Sequence, residues 1–141
     1  MIWKQPITLE LLNSFGKNTL VDHLKIVFTE IGPDFLIARM PVNHTTHQPF
    51  GVLHGGASVV LAETVGSVAG NCMLENPNQE NVVGVEINAN HLNSIANGVV
   101  YGKVTPIRVG RTIQVWNIEI TDAFGKLICV SRLTLTTVKT R

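Results

Sequence analysis

The chain has 141 residues, the usual size of a single domain, so residues 1–141 are treated as one unit. Its 11 Lys and Arg residues nearly balance its 10 Asp and Glu residues, and a net charge of +1 gives no reason to expect a nucleic-acid partner. The cysteines, Cys72 and Cys129, lie in apolar stretches rather than in a CxxC pair, which indicates a reducing compartment. With an N-terminus that lacks an export signal, the chain is predicted to be cytoplasmic and not membrane-bound.

The first predicted elements are a short helix and a hairpin. Residues 8–15 form an amphipathic helix with Thr8 as its N-cap. Residues 24–28 and 35–42 are rich in β-branched and aromatic side chains and flank a Gly-Pro-Asp turn, so two antiparallel strands are expected there.

The centre of the chain predicts one long helix. Residues 55 to about 74 are apolar, contain many small side chains and no proline, and end before an Asn-Pro-Asn segment. Such a helix is expected to be buried on almost every side. Strands are predicted afterwards at 82–89, 99–109, 112–121 and 127–138, with turn signals between them. A meander that wraps the helix gives an α+β fold, an antiparallel sheet around one central helix.

The sequence lacks the motifs GxGxxG, GxxxxGK[ST], GxSxG and HExxH, which excludes P-loop, serine-triad and zincin chemistry. Glu63 remains, in an apolar helix with no Lys or Arg between Arg39 and Lys103. An unpaired buried carboxylate is costly, and such groups concentrate at functional sites. Glu63 is the first catalytic candidate; the alternative is a glutamate that reaches solvent or pairs with a basic residue. Ser67, four residues on, lies on the same helix face and is a candidate helper, with a hydrogen bond from its hydroxyl to its own helix as the alternative.

The predicted helix begins with two glycines, which leave its first amides sterically open at the positive end of the helix dipole. The amide of Gly55 would suit the oxyanion that forms when a thioester carbonyl is attacked, an effect worth about 3 kcal/mol. Gln48 and His54 are candidates to donate to the same carbonyl. A plain glycine-rich helix entry is the alternative for the glycines, and ordinary loop roles are the alternative for the other two.

Two further groups of residues are candidate ligand sites. His44, His47 and His54 lie close in sequence, but no neighbouring cysteine or acid completes a ligand set, so no metal is expected. Lys103, Arg108 and Arg111 flank a turn at Gly110, where a basic lip with an open glycine amide would suit phosphates. The alternative for this lip is a solvated rim.

Three segments together resemble a known family: Pro49-Phe-Gly-Val-Leu-His-Gly-Gly, Leu61-Ala-Glu-Thr-Val-Gly-Ser and Val83-Gly-Val-Glu-Ile-Asn-Ala-Asn-His. In this order they are similar to the hotdog-fold acyl-CoA thioesterases of the 4-hydroxybenzoyl-CoA and phenylacetate type, especially the bacterial 1,4-dihydroxy-2-naphthoyl-CoA hydrolases of menaquinone synthesis. The resemblance covers nearly the whole chain. It implies the hotdog fold, hydrolysis of an acyl-CoA thioester, and no cofactor apart from the coenzyme A of the substrate.

The resemblance also implies roles for particular residues. Glu63 would be the nucleophile or general base, and the Gly55 amide would polarise the carbonyl, with Gln48, His54 and Ser67 around the thioester. Coenzyme A would lie along Gly84 and along two further segments, composed of His91, Leu92, Asn93, Ser94, Arg108, Val109, Gly110, Arg111, Thr112 and Ile113. Many members carry Arg-Pro where this chain has Asn93-Ser94, so the family's arginine contact does not carry over.

Oligomerisation is expected on two grounds. The resemblance implies a homo-oligomer that is a dimer of dimers, with active sites at the dimer interface. Independently, Gly55 and Glu63 are eight residues apart, or about 12 Å along one helix, which is too far for both to contact one carbonyl. Two chains are therefore predicted to share each site.

Two other functions and the identity of the acyl group remain open. A hotdog dehydratase or hydratase acting on 3-hydroxyacyl or enoyl thioesters would use His44 or His47 as its base. A non-catalytic acyl-CoA-binding module would have the same fold and bind acyl-CoA without hydrolysing it. The candidate pocket-lining residues are apolar, so aromatic and medium-chain acyl groups both fit; they are Phe50, Val60, Val68 and Met73.

Overall fold

The computed structural model describes all residues, 1–141, and contains three helices and six strands. In chain order these are α1 (Leu9–Ser14), α2 (Leu20–His23), β1 (Val27–Ile31), β2 (Leu36–Val42), α3 (Gly55–Asn71), β3 (Glu80–His91), β4 (Gly98–Val109), β5 (Ile113–Asp122) and β6 (Leu127–Lys139). The predicted α+β architecture is confirmed, because one six-stranded antiparallel sheet packs against one long helix.

The first strand begins later than predicted. Residues 20–23 form the short helix α2, whose N-cap Thr19 accepts a hydrogen bond from Val21 N. Lys25 then takes a φ of 57°, a left-handed conformation that interrupts the extended run. Strand β1 therefore starts at Val27. It pairs with β2 across the Gly-Pro-Asp turn, as the predicted hairpin requires.

The strand order in the sheet is β1-β2-β4-β5-β6-β3. Strands β4, β5 and β6 form the predicted meander. The prediction is wrong for β3, which pairs with β6 at the edge of the sheet and not with β4. The segment 92–97 is therefore a crossing loop and not a hairpin turn. This topology brings the end of β3 beside the start of β6, because His91 pairs with Cys129.

Helix α3 buries one face against the sheet. Leu61 and Val65 are fully buried against sheet residues such as Trp116, Leu133 and Leu135. The opposite face is only partly covered, so the prediction that the helix is buried on almost every side does not hold within one chain. That face consists of Val59, Val60, Glu63, Thr64, Ser67 and Val68. No helix of the structure is long and apolar enough to span a membrane.

Strand β3 contains a bulge that reverses its alternation. Gly84 pairs with Leu135 and Glu86 with Thr134, so Val85 is an extra residue in the ladder. Before the bulge, the even positions Val82 and Gly84 face the helix; after it, Ile87 and His91 do. Without the extra residue, His91 would lie on the opposite face of the sheet.

Both cysteines are free and buried, and burial raises the pKa of the Cys72 thiol from 9.0 to about 11. Because the unfolded thiol loses its proton at lower pH, this group's contribution to stability is complete below pH 9 and is lost as pH rises to 11. Between pH 9 and pH 11, we expect the free energy of unfolding of Cys72→Ala to fall by about 2–3 kcal/mol less than that of the wild type. Urea unfolding at successive pH values checks this, and identical slopes for both proteins would contradict it.

Candidate active site

The first turn of α3 holds one amide without a partner. His54 is the N-cap, and its Nδ1 accepts a hydrogen bond of 2.7 Å from Gly56 N. The amides of Ala57 and Ser58 both donate to His54 O. The Gly55 amide has no acceptor within the chain. The oxyanion donor predicted at Gly55 is therefore sterically and chemically available, whereas Gly56 is already bonded.

A cavity of about 330 Å³ opens in front of this amide. Gln48 enters it from the preceding loop. Its Oε1 accepts a hydrogen bond from Phe50 N, which leaves the side-chain amide nitrogen as a donor without a partner. His91 enters from β3, and a Cβ at position 55 would lie 2.7 Å from its Nε2. Glycine at 55 thus lets the imidazole lie directly against the helix start.

Glu63 lies on the partly covered face of α3 and has no cation within 4.0 Å, since the sole ion pair of the chain joins Lys4 and Glu75. A Cβ at position 84 would lie 2.5 Å from Glu63 Oε2, so the carboxylate rests against the backbone of β3 at Gly84. The bulge in β3 follows at the next residue. Packing against Gly84, and not an ion pair, therefore positions Glu63 beside the sheet.

A second cavity, of about 410 Å³, contains Glu63 together with Thr64, Ser67 and Val68 of α3. Residues of the α1–α2 segment form its other wall, including Phe15 and Thr19. Neither the Thr64 nor the Ser67 hydroxyl has a hydrogen-bond partner in the chain. Both can orient a water molecule or a substrate oxygen next to the carboxylate.

The two cavities have no lining residue in common. One holds the Gly55 amide and the other holds Glu63, about 12 Å apart along the helix axis. Within one chain, the residues predicted to act on a single carbonyl therefore lie in two separate cavities. Gln48 and His91 line the cavity of Gly55, and Ser67 lines the cavity of Glu63.

The histidines of the preceding loop have other functions in the structure. His47 Nε2 lies 2.7 Å from Ala96 O, and His54 caps the helix. Because His54 Nδ1 is bonded to the backbone, only His54 Nε2 could donate to a substrate carbonyl as predicted. No group of three or more His, Cys, Asp or Glu residues is placed to hold a metal ion.

The basic lip differs from the prediction in two respects. The Gly110 amide is not open, because it donates to Ile113 O at 2.9 Å and closes the turn. Lys103 is not part of the lip, since its Nζ lies 4.4 Å from the centre of the Phe35 ring. Arg108 and Arg111 are exposed and unpaired. The turn lies at the far end of α3 from Gly55, because Gln114 Nε2 donates to Gly70 O.

The segment after β3 lines the Gly55 cavity with His91, Leu92, Asn93 and Ser94. Asn93 is exposed, and its Nδ2 donates to Leu127 O at 2.7 Å. It thereby holds the crossing loop to β6 and cannot replace an arginine as a cationic contact. Of the other ligand-contacting candidates, Val109 and Ile113 are partly exposed at the turn, and Thr112 O accepts from Thr137 N.

Sequence reasoning missed two residues that line the Glu63 cavity, Thr64 and Phe15. His91, predicted as a contact of coenzyme A, lies against Gly55. A glycine inside a strand signals a bulge or a close approach of another group. Gly84 is therefore the feature of the sequence that could have indicated the bulge in β3 and the change of face after it. Among the apolar candidates, Val68 lines the cavity, but Phe50 is 90% exposed and Met73 lies beside the basic turn.

Residues 50–129 match the family model described as "Thioesterase superfamily". The chain is 55% identical over 134 residues to the 1,4-dihydroxy-2-naphthoyl-CoA hydrolase of Escherichia coli, covering 95% of this chain and 97% of that relative. It is 50% identical over 133 residues to the proofreading thioesterase EntH of Cronobacter sakazakii, covering 94% and 96%. A crystal structure of a Haemophilus influenzae thioesterase superposes with a TM-score of 0.94 at 52% identity, covering 99% and 96% of the chains.

Proposed function

The chain belongs to the thioesterase superfamily, with the hotdog fold and acyl-CoA thioester hydrolysis that this implies, and we propose that two copies build each site, Glu63 coming from one and the Gly55 amide from the other. One observation carries the proposal. The unpartnered amide and the unpaired carboxylate lie on the same helix but in cavities that share no residue.

The proposed chemistry follows from these two groups. The Gly55 amide, at the positive end of the helix dipole, donates to the thioester oxygen and stabilises the charge that develops there. Glu63 either takes a proton from a water that attacks the carbonyl carbon, or attacks that carbon itself, expelling the thiolate of coenzyme A and forming a mixed anhydride that water then hydrolyses. Coenzyme A leaves as the thiol and the acyl group leaves as the acid. Gln48, on the side of the Gly55 amide, and Ser67, on the side of Glu63, would assist at the carbonyl.

Antiparallel pairing of two α3 helices about a two-fold axis would bring Gly55 of each copy to Glu63 of the other. The partly covered face of α3 supports this arrangement, since a partner helix would bury Val59 and Val60. Strand β3 supports it too, because this edge strand exposes Val83 and Val85 and has no neighbour on one side. A dimer of dimers is the proposed assembly.

We propose that the phosphates of coenzyme A contact Arg108 and Arg111, with the guanidinium groups and not the closed Gly110 amide as donors. Arg111→Ala is expected to raise KM about tenfold and to leave kcat nearly unchanged, since a remote phosphate contact stabilises ground and transition states alike. Steady-state kinetics check this, with Lys103→Ala as the control because Lys103 contacts Phe35. The same rise in KM with a thioester that lacks the nucleotide would contradict the contact.

The acyl group is proposed to be aromatic. The first substrate to test is 1,4-dihydroxy-2-naphthoyl-CoA, which would give the protein a place in menaquinone synthesis, and medium-chain acyl-CoAs are the second. The name of the Escherichia coli relative supports this order. Release of free thiol from benzoyl, naphthoyl and alkyl-CoAs tests the proposal. Hydrolysis of aromatic thioesters is expected. Hydration of an enoyl-CoA without thiol release would favour the dehydratase alternative, and binding without turnover would favour a sensor.

A cytoplasmic location is also proposed. Two buried cysteines that form no disulfide support it, because disulfides form and persist in oxidising compartments.

A further inference from the structure

Two cavities adjoin along one side of α3. The first is the cavity of about 410 Å³ that contains Glu63, and the second, of about 380 Å³, lies towards the C-terminal end of the helix. They share two lining residues, Phe15 and Val68. The second cavity, here called the distal cavity, therefore continues the space beside the proposed catalytic carboxylate.

Phe15 is the exposed part of this boundary. It is the C-cap of the short helix α1, and the residue is 58% exposed. Val68 belongs to the last turn of α3 and packs against the core. Removing the Phe15 ring would therefore join the two cavities while leaving the buried core unchanged.

The distal cavity suits an apolar group. Ile7, Leu11 and Leu74 contribute apolar side chains to its wall. The amide groups of its wall are engaged within the protein: Gln5 Nε2 donates to Asn71 O and Leu74 O, Asn71 bonds Ser67 O and Val82 N, and Asn81 Nδ2 donates to Thr140 Oγ1. The partly exposed Glu80 carboxylate also lines this cavity and has no ion-pair partner. An alkyl chain end that follows the apolar wall would leave none of these amides unsatisfied.

We propose that Phe15 sets the length of the acyl group by closing the Glu63 cavity towards the distal cavity. This inference rests on the proposed function. Acyl groups that fill the Glu63 cavity gain binding energy with each added carbon, whereas chains that reach the Phe15 ring gain no more. Each cavity alone lies at the small end of the usual range for ligand pockets, so the closed site takes a compact aromatic or medium-chain group.

The test compares kcat/KM for straight-chain acyl-CoAs from butanoyl to palmitoyl in the wild type and in Phe15→Ala. The wild type is expected to reach a maximum at medium length. In Phe15→Ala the maximum is expected to move to chains longer by several methylenes, with about a fourfold gain for each methylene that enters the distal cavity. Benzoyl-CoA, which fills only the Glu63 cavity, is expected to show no gain, because Phe15→Ala removes part of the wall of that cavity and adds no new contact.

Two further variants make the test specific. Phe124→Ala is the matched control, because Phe124 is 96% exposed in the β5–β6 turn and lines neither cavity. Leu11→Trp in the Phe15→Ala background refills only the distal cavity and is expected to shift the maximum back. An unchanged maximum in a Phe15→Ala enzyme that still hydrolyses medium-chain thioesters would overturn this inference alone. A wild type that hydrolyses no acyl-CoA would instead overturn the proposed function.

Discussion

Replacing Glu63 by glutamine is expected to lower kcat by at least about 10³-fold while the chain stays folded. The amide keeps the shape of the side chain but can neither attack a carbonyl nor accept the proton of a water. Stability should change by no more than about 0.5 kcal/mol, because Glu63 is partly exposed and has no ion-pair partner to leave behind. Turnover of acyl-CoA and thermal unfolding measure the two effects.

The matched control is Glu86→Gln. Glu86 lies on β3, two residues from the glycine that Glu63 contacts, but it is exposed and bonds only the side chain of Asn88. It should keep wild-type turnover. A Glu63→Gln protein with near-wild-type kcat would remove Glu63 from the chemistry.

Replacing Gly55 by proline is expected to lower kcat about 10²–10³-fold, because it deletes the one amide in the first turn of α3 that has no internal acceptor. The backbone should accept the change. Proline is favoured at the first helical position, and His54 already has the extended conformation, with ψ of 131°, that a residue before proline needs.

Gly55→Ala is the control that isolates the amide. Any side chain at this position places its Cβ 2.7 Å from His91 Nε2, so both variants displace the imidazole, but alanine keeps the N–H. The alanine variant should therefore retain most of the activity that the proline variant loses. Equal losses in the two, with equal unfolding temperatures, would mean that the position of His91 matters and the amide does not.

Much of the fold could be predicted because its signals are local. The long helix and the turn between β5 and β6 were recognised, and Gly125 in that turn has a positive φ of 86°. The pairing of β3 with β6 was not, because it joins residues far apart in sequence. Only the assembled sheet shows that the Val85 bulge turns His91 towards Gly55.

The candidate site was predicted as far as it depends on residues of one helix. Spacing alone placed Gly55 and Glu63 too far apart for one chain, and the separate cavities agree with that distance. The Gly110 amide was misjudged because its acceptor, Ile113 O, becomes available only when the turn closes. Likewise, Lys103 packs on Phe35, which is remote in sequence.

The central claim is that the amide and the carboxylate acting on one thioester come from different chains, and mixing two inactive variants tests it most directly. Glu63→Gln and Gly55→Pro chains are co-expressed with different tags, and heterodimers are purified and assayed for thiol release. One site of each heterodimer carries both lesions, and the other combines an intact Gly55 with an intact Glu63. The claim predicts about half of the wild-type activity per dimer. Verified heterodimers that are as inactive as the two parents would place both groups of each site in one chain.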